Sequence, residues 1–273
     1  MGKGFKVVLI ILLSIIAVAL TGILTLMLVR GTKFNLNFSM KLSENLVEEK
    51  TIEEIKDLKI DTNIADVDIE TSEDEKVTVK LYCDDCENHS IKNNDAIEVV
   101  LKDKRKTFRL FSKGPRIVIT VPKTYENNIG LKGDVADIEI ASLKNASVNV
   151  ELKTGDIDID EINKASVKVT TGDVKIGRVN DLVVKATTGD VKLQYVGNFL
   201  DIALNTGDVK IERLNINESS KIKNNTGDIK IGTINDIYVD AKNNIGDTKV
   251  NTNDRKSDIV LTINSNVGDI KVG

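Results

Sequence analysis

One short phrase returns through the second half of the chain and constrains its fold more than any other feature. Thr-Gly-Asp followed by Ile or Val occurs at Thr154, Thr171, Thr188, Thr206 and Thr226. Looser copies stand at Ile245-Gly246-Asp247 and Val267-Gly268-Asp269. The aspartates Asp156, Asp173, Asp190, Asp208, Asp228, Asp247 and Asp269 follow one another at spacings of 17, 17, 18, 20, 19 and 22 residues. Self-similarity at such a period marks a repeat architecture, in which each unit packs chiefly on its neighbours.

Between the phrases, apolar and polar residues alternate. After Asp173 come Val174, Ile176 and Val179, then Leu182, Val184 and Ala186; the stretches after Asp190 and Asp228 repeat the pattern. A period of two predicts strands, two per repeat, with a bend near Gly177 or Asn235 and a turn at Gly-Asp. One repeat buries too few side chains to offset the ordering of its backbone and leaves raw strand edges. Stacking coils about 4.8 Å apart solves both problems and lets like residues meet in columns. The sequence therefore predicts an all-β, parallel β-solenoid with about 17–22 residues per coil, and seven coils would rise about 34 Å. An antiparallel meander with Gly-Asp hairpins explains the alternation too. It gives no reason for the same side chain to return at the same phase.

The rest of the chain divides by composition. Val7 to Val29 is a 23-residue run without a charge, preceded by Lys3 and Lys6 and followed by Arg30 and Lys33. As a helix it would reach about 34 Å, enough to cross a hydrocarbon layer of about 30 Å. It is too long for a signal-peptide core and lacks a small-x-small cleavage site, so residues 1–30 read as a signal anchor. The flanking charges are nearly balanced across the span, and the signal-like start favours the bulk of the chain outside. Residues 31–57 read as a polar stalk, where Thr51 and Glu54 could form a capping box on a short helix. Residues 58–131 read as an irregular strand-rich cap, and residues 132–273 as the repeat array. Asn63-Ile64-Ala65-Asp66 and Val135-Ala136-Asp137 look like degenerate repeat phrases with Ala for Gly. Gly273 ends the array with no evident cap.

The chain carries 38 bases and 42 acids, and four of the bases lie before residue 34, so the remainder has a net charge of −8. An acidic body argues against nucleic acid as a partner. With 4% aromatic residues and no Trp, the core has to be aliphatic.

The uncharged segment, the lead-in ending Ile117-Val118-Ile119-Thr120-Val121-Pro122 and the serial Thr-Gly-Asp-Val phrases together resemble the putative-adhesin β-solenoid family of bacterial cell-envelope proteins. The likeness covers roughly residues 45–273. It implies a membrane-tethered, adhesin-like envelope protein with no assigned reaction, some of whose relatives accompany envelope-stress signalling. It brings no catalytic residues.

Several residues could nonetheless carry chemistry. The aspartate row could ligate calcium or supply a carboxylate pair for glycoside hydrolysis. Against that, Gly-Asp is turn chemistry, with the carboxylate bonding backbone just beyond it. A parallel row, Lys175, Lys192, Lys210, Lys230, Lys249 and Lys271, lies two residues on and offsets the charge. The threonines before each glycine can bond along the stack, and Asn205, Asn225, Asn244 and Asn266 occupy neighbouring phases. Tyr195 and Tyr238 are the only tyrosines in the array, and at matched phases they could form one sugar-binding face. Cys83-Asp84-Asp85-Cys86, with His89 beyond, admits a local disulfide, free thiols, or a metal or redox site. His89 is the only histidine, so any Ser-His-Asp set must be built on it.

The expected function is therefore an extracytoplasmic solenoid held to the membrane by residues 7–29, binding an envelope polymer or a membrane protein. No catalysis, cofactor or metal is expected. A regulatory subunit acting through its anchor and stalk is the alternative, and would keep its function without residues 132–273. A polysaccharide-acting enzyme is a third reading, and would need a long inserted loop that the repeats lack.

Overall fold

The computed structural model describes residues 45–104, 114–251 and 254–273. The predicted membrane segment at 7–29 and most of the stalk lie outside the described residues. The remainder is strand throughout: β1 (Leu46–Ile52), β2 (Leu58–Thr62), β3 (Asp66–Ser72), β4 (Val77–Tyr82), β5 (Cys86–Asn93), β6 (Ile97–Asp103), β7 (Arg116–Pro122), β8 (Asn128–Val135), β9 (Ile138–Ile140) and β10 (Leu143–Thr154). There follow β11 (Ile157–Thr171), β12 (Val174–Thr188), β13 (Val191–Thr206), β14 (Val209–Leu214), β15 (Ser220–Thr226), β16 (Ile229–Ile234), β17 (Tyr238–Ile245), β18 (Thr248–Val250), β19 (Val260–Val267) and β20 (Ile270–Val272).

These strands form a parallel β-solenoid with two faces. One face runs β7, β3, β9, the first parts of β11, β12 and β13, then β14, β16, β20 and β18. The other runs β6, β2, β8, β10, the second parts of β11, β12 and β13, then β15, β19 and β17. Every pairing within both runs is parallel, so the meander is excluded. Like residues stack: Ile138, Ile157, Val174, Val191, Val209, Ile229 and Ile270 form one inward column in register, all buried. Leu131, Val150, Val167, Val184, Ile202, Ile222 and Ile263 form another on the opposite face. The alternation read from sequence is this division between an aliphatic interior and a polar outside.

The turns explain the glycines. Gly172 has φ +148°, and a Cβ there would stand 2.0 Å from the carbonyl oxygen of Gly155 in the winding below. The backbones are too close for any side chain, so the phrase repeats glycine at each level. The Ala phrases are indeed degenerate copies: Ile64 bridges Val135, and Ala65 and Ala136 are buried.

Windings do not follow chain order at either end. At the start, β2–β3 lies between β6–β7 and β8–β9. At the finish, β19–β20 lies between β15–β16 and β17–β18. The chain thus builds its outermost winding first and then slips its last strands beneath it. The physical end of the stack is consequently β17–β18 and not Gly273, whose N–H donates back to Ile231.

The other end is closed by strands of opposite direction. β4 pairs antiparallel with β7 and β1 with β4, while β5 covers β6. The strands at this end reach further back than residue 58. Thr51 and Glu54 do not begin a helix: Thr51 belongs to β1, and Ile52 is buried. The Leu46–Ile52 stretch finds an open edge on β4, and sheet pairing overrides the weak local helix signal. Residues 45–57 are therefore part of the folded body and not stalk. Tyr125, buried with its hydroxyl donating to the carbonyls of Lys56 and Asn128, fastens the cap to the first windings, and burial pushes its phenol well above the usual range.

Candidate functional site

The aspartate row becomes a continuous hydrogen-bonded column. Asp66 accepts the backbone N–H of Asp137, Asp137 that of Asp156, and the series continues through Asp173, Asp190, Asp208, Asp228 and Asp269 to Asp247, at 2.8–3.1 Å. The partner is the equivalent residue one winding away, not the backbone just beyond the same turn as expected. The glycine N–H of a turn, as at Gly172, reaches the Thr188 carbonyl of the winding on one side, and the Asp173 N–H beside it takes the Asp156 carboxylate of the winding on the other as its acceptor. The N–H of Asp208 and the ammonium of Lys192 hold the Asp190 carboxyl below its usual range, while burial pushes Asp66 up.

The lysine row lies beside it as expected. Lys192 bridges Asp190 at 3.1 Å and Asp173 at 3.6 Å, and Lys175 reaches Asp158 at 2.6 Å. One oxygen of each accepting carboxylate takes a backbone N–H, and at Asp173 and Asp190 the other faces the Lys192 ammonium. Among the described residues no cluster of three or more His, Cys, Asp or Glu could hold a metal ion.

The threonines stack in register, but no side-chain bond joins them among the described residues. Asparagines supply that ladder instead. Asn225 donates to Asn205, Asn266 to Asn225 and Asn244 to Asn266, at 3.2, 3.2 and 2.7 Å. Its order, 205–225–266–244, is the inserted winding seen from outside.

Cys83 and Cys86 are disulfide-bonded and join β4 to β5. Both sulfurs are spent on each other, and His89 is exposed on β5 opposite Leu101.

Tyr195 and Tyr238 are not brought together. Tyr238 begins β17 in the outermost winding of one face, whereas Tyr195 lies in β13 at the corner leading from the other. The two do not share a phase: Tyr195 stands five residues after Asp190 and Tyr238 ten residues after Asp228, so one falls at the corner and the other on the far strand. What Tyr195 does meet was not legible from spacing alone. It stands in a corner column, Glu161–Arg178–Tyr195–Arg213–Thr233. The Arg178 guanidinium lies 4.4 Å from the Tyr195 ring centroid and 3.5 Å from Glu161, and Glu161 accepts from Ser142 at 2.8 Å. A second column, Asp160, Gly177, Gln194, Glu212 and Gly232, runs beside it, and the two enclose an open groove of about 580 Å³.

This is a parallel β-solenoid with an acid-lined corner, a lysine row and a corner groove lined by Tyr195. Residues 55–273 match the profile described as Toastrack DUF4097, and the chain belongs to that family. Two solved structures are similar to it. One is a putative cell adhesion protein from Clostridium sporogenes, 15% identical, TM-score 0.27, over 84% of this chain and 99% of that one. The other is a putative adhesin from Bacteroides fragilis, 17% identical, TM-score 0.38, over 85% and 98%. No curated protein matches the chain.

Proposed function

We infer that the chain is a membrane-anchored, extracytoplasmic β-solenoid of the adhesin-like kind, which works by binding an envelope or surface component and catalyses no reaction. The observation that carries this reading is the aspartate column. The residues most suggestive of chemistry each accept a backbone N–H from the next winding, so their repetition serves the fold and leaves the outer faces for contact. The uncharged segment at 7–29 supports a single membrane tether. The Cys83–Cys86 disulfide supports an oxidising compartment for the body.

The test uses the full-length chain tagged after Gly273. The protein should sediment with membranes and resist alkaline extraction, and the tag should be cleaved by protease added to intact cells. Beads bearing the chain should retain envelope material that beads bearing a chain lacking residues 132–273 do not. Release by alkali, or a tag shielded until cells are lysed, would overturn the placement. Equal retention by the shortened chain would move the function to its N-terminal part.

A further inference from the structure

The corner groove differs from the aspartate and lysine rows because its side chains do not repeat. The lysine and aspartate rows present the same group at each level, whereas here Asp160, Gln194, Glu212, Arg178, Tyr195 and Arg213 stand within a few windings of one another. We propose that this groove binds a neutral saccharide chain, one ring lying against Tyr195. The proposal rests on the binding function above and names its ligand class and site.

Four features point to that chemistry. The first is a held aromatic surface. Tyr195 is half-buried, with Arg178 over its ring, and Arg178 pairs with Glu161, whose carboxylate also accepts from Ser142. A ring already ordered costs little to dock against, and its apolar face matches the C–H face of a sugar. The second is access. A Cβ on Gly177 would lie 2.3 Å from the carbonyl oxygen of Asp160, and one on Gly232 would lie 2.4 Å from that of Glu212. No side chain fits at either level, so bare backbone lies between the polar arms.

The third feature is the mixture of donors and acceptors. Arg213 only donates, Asp160 and Glu212 only accept, and Gln194 does both. A sugar hydroxyl both donates and accepts, so a chain of hydroxyls can satisfy every arm. The fourth is charge. Once Arg178 is paired with Glu161, the groove keeps one guanidinium, Arg213, which makes no ion pair among the described residues, against the carboxylates of Asp160 and Glu212. That balance repels phosphate or uronate polymers and does not penalise a neutral one.

The experiment is saturation-transfer NMR and calorimetric titration of the full-length chain in mild detergent. The probes are neutral glucan, mannan, galactan and N-acetylhexosamine fragments, with oligogalacturonate and polyphosphate as acidic arms. At least one neutral fragment should bind. Tyr195→Ala combined with Arg213→Gln should weaken it roughly tenfold or more. Tyr195→Phe, which keeps the ring, should stay within about twofold, and this separates the loss of the surface from the loss of the fold. Lys230→Gln, on the lysine row, should change nothing. The proposal is overturned if no neutral fragment binds or if the double variant binds as the parent does. It is also overturned if only an acidic polymer binds and Lys230→Gln abolishes that binding. Retention of envelope material that the double variant shares in full would sink the groove and leave the wider binding function standing.

Discussion

A single Asp in this protein does what a capping side chain does for a helix: it accepts an N–H that the regular ladder leaves over. Asp190 accepts from Asp208 and pairs with Lys192, and it is only half-buried, so water screens part of the benefit. Asp190→Asn should lower the unfolding free energy by about 1–2 kcal/mol, read as a shift in urea midpoint at pH 7. The folded carboxyl titrates below its ordinary value of 3.8. Its contribution is therefore fully present above that pH and disappears as pH falls through the lower, folded value. The gap between parent and Asp190→Asn should accordingly close as the solution is taken below about pH 4. Glycine offers a sharper contrast. Gly172→Ala places a methyl group on backbone and should cost more than about 3 kcal/mol or prevent folding, judged by thermal melting. Gly130→Ala, whose added carbon meets nothing nearer than 3.8 Å, should stay within about 0.5 kcal/mol of the parent.

Among the elements, β19–β20 is the one that chain order misplaces. Lys230 on β16 lies in register with Lys271 on β20, and Lys271 with Lys249 on β18. Adjacent parallel strands are about 4.8 Å apart, within disulfide reach, and strands two levels apart are not. Cysteines at 230 and 271 should therefore cross-link under mild oxidation, whereas cysteines at 230 and 249 should stay free, as read by peptide mass after non-reducing digestion. The opposite pattern would restore a stack in chain order. The insertion has a physical reward. Strands β17–β18 match β19–β20 in length but carry exposed residues such as Ile245, so they suit an end. The better-buried β19–β20, with Leu261, Ile263, Ile270 and Val272 inside, gains from being covered on both sides.

Taken as a whole, the solenoid has one finished end and one open end. Antiparallel β1, β4 and β5 close the first windings, while nothing stacks beyond β17–β18 among the described residues. In a stack held by nearest neighbours, stability should fall toward the less covered end. Hydrogen exchange should be slowest in β12 and β13, which are paired along both edges, and fastest in β17–β18. Mass-resolved exchange at neutral pH checks this, and uniform protection along the array would refute nearest-neighbour behaviour.

The recurring Thr-Gly-Asp phrase determined the fold class, the inward columns and the outward lysine row, because an identical phase at a near-constant period has one stable outcome: like positions stacked in register. Three things were decided only by tertiary contact. Thr51 and Glu54 looked like a helix start, and the open edge of β4 made the segment a strand. Asp173 and its equivalents looked like local turn residues, and the neighbouring winding supplied their partner. Tyr195 looked like half of an aromatic pair with Tyr238, and the corner column gave it Arg178 instead. Local alternation specifies which side of a strand is buried. Which strand lies next to which is fixed by burial and by satisfied edges over the whole stack, and no window of the sequence contains both partners.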